Sequence, residues 1–141
     1  MIEFTLLSKI KFLGDIPLSS KFLNKRPMKE KYVKKYMTQL VNGLKYLLEM
    51  NIIHRDLKPQ NIMITKDNIL KISDFGFARY IDSNKMLNTL CGTPLYMAPE
   101  IINFSNYTNK ADLWSIGIIL YQMLFSKLSF NSNNFNNLIK C

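Results

Sequence analysis

One stretch of this chain gathers side chains that could move a proton and hold a cation: His54-Arg55-Asp56-Leu57-Lys58-Pro59-Gln60-Asn61. Asp56 is a carboxylate able to accept a proton, Lys58 is an ammonium able to stand beside an anion, and Asn61 offers a hard amide oxygen. A second hard oxygen donor follows in Asp74-Phe75-Gly76, and a further triplet, Ala98-Pro99-Glu100, lies beyond it. Taken singly, each has an ordinary explanation. An Asp after an Arg is commonly a surface ion pair, and an Asn ahead of a strand is commonly a turn residue. Their order and clustering set them apart.

The elements that must position these residues are legible in part. Val33, Tyr36, Met37, Leu40, Val41, Leu44, Leu47 and Leu48 repeat at i, i+3, i+4 from Met28 onward, while Lys29, Lys31, Lys34, Lys35 and Lys45 mostly fall elsewhere. That spacing predicts an amphipathic helix of about 20 residues with a solvated lysine face. Ile62-Met63-Ile64 and Ile69-Leu70-Lys71-Ile72 flank the turn-forming Thr65-Lys66-Asp67-Asn68, which predicts a small β-hairpin with Asn61 and Asp74 at its two ends. From Asp74 to about Pro99 no periodicity is sustained, and loops of that length in compact domains are functional or disordered. Asn109 is placed to cap a helix that is apolar on nearly every side, from Leu113 to Phe125, and that helix is expected at the centre of the core. Residues 1–28 fit neither a clean strand nor a clean helix. The fold class is therefore mainly α with a small β-hairpin.

In their order, these motifs resemble the catalytic loop, the metal-binding loop and the end of the activation segment of eukaryotic-type serine/threonine protein kinases. Asp112, Trp114, Ser115 and Gly117 match the same pattern, and Gly14 to Leu23 bears a weaker likeness to the helix after the family's hinge. Asp74-Phe75-Gly76-Phe77-Ala78-Arg79-Tyr80, the run from Thr89 to Glu100 and Ala111-Asp112-Leu113-Trp114-Ser115-Ile116-Gly117 look most like the autophagy-initiating, Unc-51-like branch. The resemblance implies a protein-kinase-like C-lobe fragment of α+β type. Residues 29–135 would form a partial catalytic domain, 1–28 a remnant around the hinge, and 136–141 a truncated tail.

It also implies roles and cofactors, ATP and Mg²⁺. Asp56 would orient the substrate hydroxyl and accept its proton, and Lys58 would set its ammonium beside the γ-phosphate. Asn61 and Asp74 would hold Mg²⁺, and Lys58, Asn61, Met63 and Asp74 would contact ATP. Thr93 would hydrogen-bond to Asp56 and Lys58, completing the catalytic set of Asp56, Lys58, Asn61 and Thr93. Arg55 would gather a phosphorylated residue of the activation segment, with Thr89 the expected site and Ser83 a weaker one. His54 and Phe75 would pack as core pieces that place the metal loop, and Asp112 would accept hydrogen bonds from the catalytic-loop backbone. Glu100 would pair with an Arg in the family, yet the sequence offers no matching one. Lys58 with Gly92-Thr93-Pro94 implies protein substrates with Ser or Thr acceptors rather than Tyr.

The chain departs from the family before its first helix. Only Gly14 precedes that helix, so no G-x-G-x-x-G can be drawn, and the strand Lys and helix Glu of the family's N-terminal lobe have no counterpart. The family's last C-lobe helices are likewise absent from the pattern. Two readings follow. One is a serine/threonine kinase whose N-terminal lobe comes from a separate chain or segment; the other is a non-catalytic kinase remnant kept as a protein-binding module. Intact Asp56, Lys58, Asn61 and Asp74 favour enzymatic use.

The formal charge of +9 comes almost entirely from Lys, with Arg only at positions 26, 55 and 79, which argues against a nucleic-acid partner. Cys91 and Cys141 have no metal-site or redox spacing. The most apolar window, Leu113 to Phe125, is shorter than the roughly 20 residues that span a bilayer. No secretory signal is visible either, so an intracellular, cytoplasmic setting is expected.

Overall fold

The computed structural model describes residues 14–22, 26–81, 87 and 89–130. A two-residue strand, β1 (Ile16–Pro17), leads into a 3-10 helix at Leu18–Phe22, within the stretch that bears the weaker likeness to the helix after the family's hinge. The lysine-flanked apolar stripe forms α1 (Glu30–Glu49), which buries Val33, Tyr36, Leu40, Leu44 and Leu47. Burying each such side chain stabilises the fold by about 1.5–3 kcal/mol, so this face, more than helix propensity, holds α1 in place. Asn51, left-handed at φ 54°, then reverses the chain into β2 (Ile52–Ile53).

The expected hairpin forms from β3 (Ile62–Ile64) and β4 (Leu70–Ile72), paired antiparallel with Ile62 opposite Ile72 and Ile64 opposite Leu70. β1 adds to its other side, giving the order β1-β3-β4. A second ribbon has no trace in the sequence pattern: β5 (Arg79–Tyr80) pairs antiparallel with β2. Two-residue strands are too short to show the period-2 alternation by which strands are recognised. α2 (Pro99–Ile102) and α3 (Lys110–Phe125) complete the described elements.

Two expectations for α3 are corrected. Its surroundings are one-sided: Ala111, Asp112, Ser115, Ile116, Ile118, Ile119 and Met123 are buried, whereas Leu113 (57% exposed), Tyr121, Leu124 and Phe125 (53%) share an open face. A sequence apolar all round does not say which sides find partners; here α1 and the turn at Pro94–Tyr96 cover one of them. Asn109 stands at the cap position but makes no capping hydrogen bond, because its backbone is already helical at φ −57°, ψ −15°. Thr108 Oγ1 accepts the Lys110 N–H instead, at 3.4 Å.

An open face of this kind binds apolar partners or promotes association. The 141-residue chain is expected to bind a hydrophobic dye and to self-associate with rising concentration, and Leu113→Lys with Phe125→Lys should reduce both. Dye fluorescence and sedimentation check this; an unchanged signal in the double variant would exclude α3 as the source.

One core cluster joins α1, the hairpin and α3 through Tyr36, Leu40, Leu57, Ile62, Ile64 and Ile119, and a second groups Ile53, Ala98, Ile101, Tyr107 and Ala111. The stretch from Ile52 to Leu57 is buried between them. Among the described residues, no helix is long and apolar enough to cross a membrane. Residues 1–13, Leu23, Ser83, the Asn-rich stretch 131–137, the tail 136–141 and Cys141 lie outside the described residues.

Candidate active site

The chain leaves β2 and turns at Arg55, whose φ of 69° is unusual for a side chain of this size. Asp112, in the first turn of α3, holds that turn: its carboxylate accepts the His54 N–H at 2.7 Å and the Arg55 N–H at 3.0 Å. Burial pushes the Asp112 carboxyl above its usual 3.8, opposed by these two donors. A buried carboxylate without such partners would cost several kcal/mol, so the pairing accounts for an acid in an apolar helix.

His54 is fully buried, with Nε2 3.0 Å from the Ser73 carbonyl and Nδ1 accepting the Asp56 N–H at 3.3 Å. One tautomer, neutral with the proton on Nε2, satisfies both contacts. The ring packs edge-on against Phe75 with centroids 4.9 Å apart, tying the catalytic stretch to the loop that carries Asp74.

Burial lowers the His54 pKa below its usual 6.5. The unfolded chain would protonate near 6.5 and the folded chain only at lower pH, so this contribution to stability is complete above that value and is lost as pH falls below it. Asp112 acts in the opposite sense, its raised carboxyl favouring the fold most below its unfolded value of 3.8. His54 is the chain's one histidine. Its imidazole resonance, followed by NMR against pH, should titrate with a midpoint below 6.5; a midpoint at or above that value would contradict the neutral, doubly bonded ring.

Around Asp56 the structure closes a polar triangle. Thr93 Oγ1 donates to Asp56 Oδ1 at 2.8 Å and accepts from Lys58 Nζ at 2.8 Å, while Lys58 Nζ lies 2.8 Å from Asp56 Oδ2. Asn61 Nδ2 donates to both Asp56 Oδ2 and the Asp56 carbonyl, at 3.0 and 2.9 Å. The Asp56 side chain is 3% exposed and that of Lys58 22%, so the carboxylate is the buried member of the triangle while Lys58 and Thr93 are partly exposed.

Asn61 uses its amide nitrogen on Asp56, which leaves Oδ1 without a hydrogen bond among the described residues. At the other end of the hairpin, Asp74 is exposed and left-handed at φ 62°, and among the described residues its carboxylate accepts only a long 3.4 Å bond from Gly76 N. Ser73 N–H and Oγ–H both donate to the Asn61 carbonyl, at 2.8 and 2.9 Å, extending the ladder so that the two hairpin ends lie side by side. Among the described residues no three of His, Cys, Asp or Glu converge on one point. An amide and a carboxylate oxygen nonetheless suit Mg²⁺, which keeps several waters and takes one or two protein oxygens plus phosphate oxygens. Met63 is half-buried on β3, on the face opposite Ile62 and Ile64.

Arg55 is 7% exposed and donates through Nε to the Phe77 carbonyl at 2.6 Å and through a terminal nitrogen to Tyr107 OH at 3.2 Å. Tyr107 OH in turn donates to the Thr89 carbonyl at 2.9 Å, so Arg55 reaches the segment around Thr89 through a neutral phenol. Thr89 itself is exposed. Glu100 is half-buried, with no ion pair among the described residues.

Tyr107 was not singled out by its sequence context, because a lone Tyr between polar residues carries no local signal. In the sequence Gly92 is read with Thr93 and Pro94, but not for its backbone. It adopts φ 110°, and a Cβ there would lie 2.5 Å from the Arg55 carbonyl oxygen. A glycine in a long polar loop, as here and at Gly76, is the residue type that can take up such a position.

Residues 11–141 match the family described as Protein kinase domain. Serine/threonine-protein kinase atg1 of Dictyostelium discoideum is 55% identical over 107 residues, covering 74% of this chain and 16% of that protein. Serine/threonine-protein kinase ATG1b of Arabidopsis thaliana is 50% identical over 108 residues, covering 74% of this chain and 15% of the relative. The ATG1 kinase of Debaryomyces hansenii is 40% identical, with 88% of this chain and 17% of the relative covered. The chain thus spans less than a fifth of the length of these curated relatives.

Proposed function

Because the chain belongs to the protein kinase domain family, among serine/threonine kinases of the atg1 type, we propose that it supplies the acceptor-activating and metal-holding part of a catalytic domain. That domain transfers the γ-phosphate of ATP to Ser or Thr hydroxyls of protein substrates. The observation that carries this reading is the triangle of Asp56, Thr93 and Lys58, closed by Asn61.

In this reading the fold corresponds to the family's C-lobe, and the glycine-rich loop comes from polypeptide beyond these residues, in this or a second chain. Asp56 turns a carboxylate oxygen toward the substrate hydroxyl and takes up its proton as the oxygen attacks. Thr93 and Asn61 hold that carboxylate in orientation from two sides. Lys58, partly exposed and on a flexible stem, can swing from Asp56 to the transferred phosphate, where a compact mobile ammonium follows the moving charge. Asn61 and Asp74 would hold Mg²⁺, which when bound neutralises phosphate charge during in-line transfer. Met63 lines the nucleotide site, and Arg55 waits for a phosphate on Thr89 that would order the segment through charge-assisted bonds. An intracellular, cytoplasmic setting, where ATP is supplied, belongs to the same reading.

The test is a chimera in which this chain replaces the matching segment of the Dictyostelium kinase. It should phosphorylate Ser and Thr peptides in a Mg²⁺-dependent manner and leave a Tyr peptide unmodified. The 141-residue chain alone, lacking a glycine-rich loop to position ATP, should be at least about 100-fold less active. Preference for Tyr, or Mg²⁺-independent transfer, would overturn the assignment.

A further inference from the structure

The hairpin that ends in Asn61 and Asp74 has an open edge along β4, since β3 occupies only its other side. Thr65 N–H bonds the Ile69 carbonyl and Ser73 N–H the Asn61 carbonyl, so alternate residues of β4 turn inward to β3. The Leu70 N–H and the Asn68 carbonyl therefore face outward, while the Asn68 N–H closes the turn on the Thr65 carbonyl at 3.0 Å. The Gln39 side chain meets them there: its Oε1 accepts the Leu70 N–H at 2.8 Å and its Nε2 donates to the Asn68 carbonyl at 3.3 Å. A carbonyl at one residue and an N–H two residues on are what a residue of a parallel neighbouring strand would bond. The amide of Gln39 thus stands in for one residue of a missing strand.

Two further ties lie on the same face of α1. Tyr36 OH donates to Asn68 Oδ1 at 2.9 Å, and a Cβ on Gly43 would meet Ile72 Cδ1 at 3.1 Å, so the helix lies close enough that a larger residue would press on the Ile72 side chain. Positions 36, 39 and 43 climb about 10 Å of helix while 68, 70 and 72 climb about 13 Å of strand, so the two run in step.

We propose that Gln39 is a positioning residue for the metal pair: it locks the hairpin's register onto α1 and thereby sets Asp74 against Asn61. The inference rests on the reading of Asn61 and Asp74 as the Mg²⁺-holding residues. A slip of one residue would carry Asp74 about 3.3 Å along Asn61 and turn the strand's side chains to the other face. Metal–oxygen distances tolerate only about 0.2 Å. Three-residue strands joined by a polar turn hold register weakly by themselves, so an external clasp has a task to perform.

Gln39→Leu in the chimera should raise the Mg²⁺ concentration for half-maximal activity by about tenfold or more, the usual effect of losing a residue that orients a metal ligand. The KM for the Ser peptide should not change. Gln39→Glu keeps the acceptor for the Leu70 N–H and should recover most of the loss, whereas loss of general stability would affect both variants' peptide KM and turnover alike. In the full 141-residue chain, hydrogen exchange over residues 65–72 should quicken about fivefold or more in Gln39→Leu, which removes both the Leu70 and the Asn68 hydrogen bonds. Tyr36→Phe, a milder change, should quicken the same peptide by less. Unchanged exchange, or an unchanged Mg²⁺ requirement in Gln39→Leu, would overturn the proposal. If Asp74→Ala kept its Mg²⁺ dependence, the metal-pair reading itself would fail, a result distinguishable from the exchange measurement.

Discussion

Asp56→Asn and Asp74→Ala, each made in the chimera, should lower turnover by about 10³-fold or more, and the double variant should be little worse than the weaker single one. Asn at position 56 preserves shape and can still receive Thr93 Oγ–H at 2.8 Å, but it cannot take up the hydroxyl proton and leaves Lys58 without its anionic partner. Ala at position 74 removes a carboxylate whose one hydrogen bond here is the 3.4 Å contact with Gly76 N, so the cost to folding should be small and the cost to metal binding large. In the proposed mechanism the two side chains act on one transition state, so their losses should not add. Thr89→Ala should lower activity only a few-fold, since Thr89 is exposed and joined to the site only through its carbonyl. Steady-state phosphorylation with a thermal melt of each variant reads these outcomes. Near-parental turnover in Asp74→Ala would refute the assignment of the pair.

Gly92→Ala is the second severe change. The new Cβ would meet backbone, the Arg55 carbonyl oxygen at 2.5 Å, in a φ of 110° that side chains rarely adopt. Backbone strain of that kind costs about 1–3 kcal/mol. To relieve the clash, the segment holding Thr93 or the turn holding Arg55 and Asp56 must move, and a shift near 1 Å can cost about 100-fold in rate. The expected result is a loss of about 100-fold in kcat/KM together with a lowered Tm. Gly117→Ala provides the contrast: on α3 a Cβ there meets nothing within 4 Å, so the substitution should leave activity intact and stabilise the helix by about 0.5–1 kcal/mol. If Gly92→Ala kept turnover within a few-fold, the close seating of the activation segment on the catalytic turn would not be needed for catalysis.

The chimera also separates two questions that the chain alone would confound. Failure of the 141-residue chain to phosphorylate a peptide is compatible with intact catalytic residues, because positioning ATP is a task for which the family uses a glycine-rich loop. Only in a complete domain does the loss in Asp56→Asn or Asp74→Ala report on chemistry.

The sequence by itself determined the elements whose signals are local. α1 follows from a 3.6-residue repeat that one turn of helix makes audible every few positions, and it forms over Glu30–Glu49. The β3–β4 hairpin follows from two short β-branched runs around an Asp-Asn turn. The site residues were named by their resemblance to a family motif, since spacing alone left Asp56 and Asn61 as ordinary surface and turn residues. The family resemblance, and no spacing, led to the expectation that Thr93 meets Asp56, 37 positions away, and that Asp112 meets the His54–Arg55 backbone, 58 and 57 positions away; only the tertiary structure decided that Gln39 clasps β4 from 31. It also decided which side of α3 is covered and that Ile52–Ile53 pairs with Arg79–Tyr80. The reason is physical. Periodicity records how a segment relates to a core, one face in and one face out, but a hydrogen bond between one side chain and one distant backbone group repeats nowhere and so leaves no period to read.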